Sequence, residues 1–111
     1  MEMAFVLPVL PGKRDALLTL TDALREQRRA EFDRAQVTVT RETWYLQATP
    51  LGDVLAVSFE APDPAAVFRA LALSDEPFDV WLKAQLLEIT GCDLNQPPDT
   101  LPVRAFHWSR S

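Results

Sequence analysis

The stretch from Glu42 to Glu60 reads ETWYLQAT, then Pro50-Leu51-Gly52, then DVLAVSFE. Side chains alternate faces along a strand. One face of the first strand carries Thr43, Tyr45 and Gln47, and the other Trp44, Leu46 and Ala48. The return strand sets Leu55, Val57 and Phe59 against Val54, Ala56 and Ser58. No face is polar enough to sit in water, so the hairpin predicts a sheet covered on both sides. In so short a chain the second cover is expected from another subunit. Counting Pro50-Leu51-Gly52 as the loop groups Trp44, Leu46 and Ala48 with Val54, Ala56 and Ser58, facing the partner. Thr43, Tyr45 and Gln47 then join Leu55, Val57 and Phe59, facing helices and any pocket.

Met3–Leu10 is a continuous apolar run, expected to be a strand buried on both faces and ended by Pro11-Gly12. Pro8 marks it as an edge or a strand end, because proline cannot donate to the ladder. Leu17, Leu20 and Leu24 recur at helical spacing, predicting one helix from Lys13 to about Ala35. Asp63-Pro64 is a helix start, with Asp as cap and Pro in the first turn. Ser74-Asp75-Glu76-Pro77 interrupts that helix and starts another, whose apolar stripe runs through Phe78, Trp81, Leu82, Leu86 and Ile89 to a stop at Gly91. A proline-rich loop follows, then an expected last strand, Val103–Trp108. The order β-α-β-β-α-β, with the second helix broken in two, predicts an α+β fold of ferredoxin-like topology with a four-stranded antiparallel sheet.

The chain has 111 residues, the size of a single domain spanning 1–111. A net charge of −5 disfavours nucleic acid and anionic membranes, whose phosphates need a basic surface. Nine arginines against two lysines, with many Ala and Pro, read as the coding bias of a GC-rich bacterial genome. Cys92 is the only cysteine, so neither an internal disulfide nor a cysteine metal site can be built. It also lacks the positive surroundings that activate a thiol. No apolar stretch approaches the ~20 residues that span a bilayer, and no signal peptide is read. A cytoplasmic protein without metal or cofactor is expected.

Four places hold candidate chemistry. Arg28 and Glu31 are three apart on the first helix and pair along it. They sit either in water beyond the sheet or at one end of a pocket. Thr43, Tyr45 and Gln47 share a strand face, and as polar groups among apolar walls they suit a pocket; as good strand formers they equally fill half-buried surface. His107 is the only histidine, the natural proton carrier near neutral pH, or else a terminal surface residue. Asp75 and Asp79 read as first-turn acids. There is no glycine-rich phosphate loop and no Gly-x-Ser-x-Gly nucleophile.

Phe5–Lys13, FVLPVLPGK, followed by a long helix, an apolar hairpin, a broken helix and a closing strand, resembles the dimeric α/β-barrel superfamily, closest to its small uncharacterised bacterial members. The resemblance implies a homodimer whose sheets pack face to face into a barrel, with a pocket between each sheet and its helices. Its characterised members include cofactor-independent monooxygenases, haem-degrading enzymes and isomerases; no haem-ligand histidine lies on the second helix. The resulting expectation is a monooxygenase or isomerase acting on a small aromatic or enone-like molecule. His107 or Tyr45 would move a proton, Arg28 would stabilise negative charge, and Glu31, Thr43 and Gln47 would bind substrate. The alternatives are a non-catalytic small-molecule binder or dimerisation module, and a domain whose pocket is filled by its own side chains.

Overall fold

In the computed structural model, described from Met1 to Arg110, three strands and four helices follow in the order β1 (Glu2–Pro8), α1 (Arg14–Arg25), α2 (Arg29–Ala35), β2 (Arg41–Thr49), β3 (Gly52–Glu60), α3 (Pro64–Leu73) and α4 (Pro77–Thr90). The sheet is antiparallel in the order β1-β3-β2, with both β1 and β2 at its edges. It has three strands, and the expected fourth is absent: residues 101–110 form no strand and lie largely exposed. Pro97, Pro98 and Pro102 remove three backbone donors from the approach to this segment. Its two alternating sets, Val103/Ala105/His107 and Arg104/Phe106/Trp108, each mix apolar with polar side chains, so neither would bury cleanly.

All four helices cover one face of the sheet. The core beneath them joins Leu17 and Leu20 of α1 to Leu55 and Val57 of β3 and to Phe78, Leu82, Leu86 and Ile89 of α4. Each such side chain contributes about 1.5–3 kcal/mol of burial. Among the described residues, no helix is long and apolar enough to cross a membrane.

Helix α1 stops at Arg25, and Lys13–Ala35 is therefore not one helix. After Leu24 the chain reads Arg-Glu-Gln-Arg-Arg, which offers the core nothing to bury. The Arg28 amide reaches back five residues to the carbonyl of Ala23 at 2.8 Å, and the axis turns there. The turn carries Phe32 inward to meet Phe78 edge-on, with ring centroids 6.3 Å apart.

The hairpin register also differs from expectation. Thr49 stands opposite Gly52, so Pro50 and Leu51 alone form the loop. The Thr49 hydroxyl fixes this turn by donating to the Gly52 carbonyl at 2.6 Å and accepting from the Leu51 amide at 3.2 Å. Gly52 has φ +121°, a value L side chains rarely adopt. A shift of one residue in register moves a whole side-chain set to the other face. Trp44 therefore lies opposite Val57, and Leu46 opposite Leu55, on the helix side. Tyr45 lies opposite Ala56, Thr43 opposite Ser58 and Gln47 opposite Val54, on the uncovered side. This reverses both expected placements of the first hairpin strand. β1 is likewise buried on one face only, with Val6 63% exposed.

Helices α3 and α4 lie where their capping signals place them. The Asp63 side chain accepts the Ala66 amide, and Gly91 closes α4 at φ 76°. Between the two helices is a device the sequence does not announce. Lys83 is 2% exposed, and its ammonium donates to the carbonyls of Leu71 at 2.8 Å, Ser74 at 3.0 Å and Ala72 at 3.4 Å. A cation at a helix C-terminus complements both the helix dipole and its unpaired carbonyls.

Candidate functional site

The helices do not close completely over the sheet. Between them lies a cavity of about 520 Å³, within the ~300–1,000 Å³ range of small-molecule sites. Its floor is the covered sheet face, with Phe5 of β1, Trp44 of β2 and Val57 and Phe59 of β3. Val67 and Phe68 of α3 form one wall, Phe32 and Gln36 at the end of α2 another, and Phe78 and Asp79 open α4 beside them. Five of the six phenylalanines in the chain line this one space. Phe5, Phe59 and Phe68 form a closed triangle of edge-on contacts, with centroids 5.1–6.2 Å apart. Such pairs add about 0.5–1.5 kcal/mol each beyond their area. They fix α3 to the floor and give the cavity a rigid aromatic side.

The polar groups of the cavity are concentrated at its rim. Glu42 and Trp44 are two apart on β2 and so share a face. The Glu42 carboxylate accepts the Trp44 indole N–H at 2.7 Å through Oε2 and the Gln36 side-chain amide at 3.0 Å through Oε1. Both oxygens are thereby oriented by neutral donors, and each keeps a free lone pair. On the opposite side the Ser74 hydroxyl donates to Asp79 Oδ2 at 2.6 Å and accepts the Glu76 amide at 3.2 Å. A second recess of about 310 Å³ shares Phe32, Gln36, Val39 and Glu42 with the main cavity.

Of the residues singled out from sequence, Asp79 lines the cavity and the rest lie elsewhere. Arg28 and Glu31 do pair, at 3.2 Å, and the guanidinium stacks over Trp81 at 4.2 Å from the ring centroid. The pair is half-exposed and outside the cavity lining. Tyr45, Thr43 and Gln47 face away from the helices, and Tyr45 is 60% exposed. His107 belongs to the exposed segment after α4. Thus none of the six lines the cavity, and His107 and Tyr45 share no enclosed space. Glu42, Gln36 and Asp79 are the groups that converge there. The signal for Glu42 was present as its two-residue spacing from Trp44, but it could be read only with the correct hairpin register.

Among the described residues, no group of three His, Cys, Asp or Glu side chains is placed to hold a metal ion. Comparison with protein-family models, with curated proteins and with solved structures found no match.

Proposed function

We propose that this protein binds a small apolar molecule between its sheet and helices. The observation carrying this reading is the cavity itself: an unfilled space walled by five phenylalanines and Trp44, with a few oriented polar groups at its rim. A catalytic version, the oxygenase or isomerase suggested by the resemblance, would have to draw its proton-transfer groups from Glu42 and Asp79. The neutral fluorescent probe N-phenyl-1-naphthylamine tests binding, since its emission rises in an apolar site. The native chain is expected to saturate it at one probe per chain. Ala66→Trp, which projects an indole from α3 into the cavity, should weaken binding at least tenfold while the chain stays folded. Probe emission unchanged by the native chain, or binding unchanged by Ala66→Trp, would refute the reading.

The uncovered sheet face supports a second element of the proposal, self-association. Ala4, Val6, Val54, Ala56 and Tyr45 form a patch of small and apolar side chains across all three strands. One end of it is bounded by Arg41, which pairs with Glu2 at 2.6 Å and Glu60 at 3.3 Å. A second copy packed on this face, sheet against sheet, would bury the patch left open by one set of helices. Sedimentation at micromolar concentration should give twice the 12.5 kDa of one chain, and Val6→Asp should return it to one. A native chain that sediments as a monomer would remove the dimer and leave the cavity reading intact.

A further inference from the structure

The charge around the cavity selects among apolar ligands. Its lining includes three carboxylates, Glu42, Glu76 and Asp79, and no Lys, Arg or His. None of the three is in ion-pair contact with a cationic side chain among the described residues. Arg41 lines the adjoining recess, but its guanidinium is engaged by Glu2 and Glu60. Arg28, a half-buried guanidinium at the start of α2, is held between Glu31 and the Trp81 ring.

Glu42 is the acid best placed to act on a ligand. Its carboxylate is clamped by Trp44 and Gln36 on two elements, so it does not need to reorganise to receive a charge. It stands directly across from Phe59 on the neighbouring strand, at the edge of the phenylalanine triangle. Aromatic faces attract cations, as carboxylates do, and tolerate neutral apolar groups; neither attracts an anion. The indole of Trp44 donates its N–H to Glu42, which draws the carboxylate and the best cation-binding ring in the site together.

On the cavity-binding reading above, we infer that the ligand is a cationic amphiphile: an aromatic or branched aliphatic body seated among the phenylalanines, with a protonated amine or quaternary ammonium head at Glu42. The head takes the lone pairs that Trp44 and Gln36 leave free, and the body fills the space beneath α3. Carboxylic acids, phosphates and sulfonates of the same shape are excluded by the three rim carboxylates.

Three probes of one shape and different charge test this: 4-phenylbutylamine, 4-phenylbutanol and 4-phenylbutanoate, each titrated as a competitor of N-phenyl-1-naphthylamine. At low salt the amine is expected to bind at least tenfold tighter than the alcohol, with the acid weakest. Glu42→Gln should bring amine and alcohol to within threefold of each other, and a cooperative urea transition shows that the variant is folded. Raising sodium chloride should weaken the amine in the native chain and leave the alcohol unchanged. Amine and alcohol binding equally to the native chain would overturn the charge inference while cavity binding stood. A preference that survives Glu42→Gln would overturn the role of Glu42. If none of the three competitors nor the naphthylamine binds, the cavity reading itself falls and the inference with it.

Discussion

Lys83→Met is expected to destabilise the fold by about 3 kcal/mol, lowering the melting temperature by roughly 10–20 °C for a domain of this size. Methionine keeps the length and apolar stem of the lysine, so the loss reads the ammonium alone. Two effects oppose each other. Removing a buried charge returns its desolvation cost, which for a lone ion is several kcal/mol. Against that, three carbonyls lose a charged donor, and hydrogen bonds to charged groups contribute about 1.5–3 kcal/mol each. The bonds win here because the carbonyls of Leu71, Ala72 and Ser74 belong to the last turn and exit of α3 and remain buried against α4 after the change. Glu88→Ala is the control, since its ion pair with Lys13 is solvent-exposed and within ~1 kcal/mol of neutral. Urea unfolding of both variants measures the difference. A Lys83→Met chain within 1 kcal/mol of native would mean that the carbonyls find water and that the ammonium is not a structural clamp.

Phe59→Ala should cost about as much or more, about 3–5 kcal/mol. Phe59 is 3% exposed and is the one residue of the aromatic triangle in the central strand. Truncating it removes its own burial and both of its edge contacts, with Phe5 and Phe68. The site has little means of collapse, because β1 and β2 flank it on both sides and hold the backbone apart. The cavity should therefore enlarge rather than close. Phe59→Leu, which retains most of the volume, should cost less than half as much. Calorimetric melting of the two variants gives the comparison, and equal losses would show that ring contact, not side-chain volume, holds α3 to the sheet.

Much of the helical framework was readable from local chemistry, because Asp63-Pro64, Pro77 and Gly91 act on their own neighbours and need no tertiary information. The same holds for the apolar stripe of α4. The failures have one kind of cause: each turned on side-chain contacts, made or missing, that spacing along the chain does not reveal. The hairpin parity depends on whether two or three residues make the loop, and the Thr49 hydroxyl decides it through a contact that alternation does not reveal. That single step reverses the faces of Trp44 and Tyr45 together. The break after Arg25 has no glycine or proline to mark it; it arises because the following residues offer no apolar contact to sustain the helix. The closing strand failed for a related reason, since Val103–Trp108 has strand-like alternation but no face that a sheet edge would bury. Lys83 was invisible because a lysine in a helical stripe reads as solvated until the end of another helix is found beside it.

The sealing of Lys83 has a bearing on how the folded chain can be handled. With two lysines in the sequence and one enclosed by carbonyls, lysine-directed reagents meet Lys13 alone. Its ammonium lies beside Glu88, and it does not belong to the lining of the cavity. Coupling through lysine, whether to a sensor surface, a dye or a resin, therefore grips the molecule at a point outside the aromatic chamber and leaves its entrance chemically untouched.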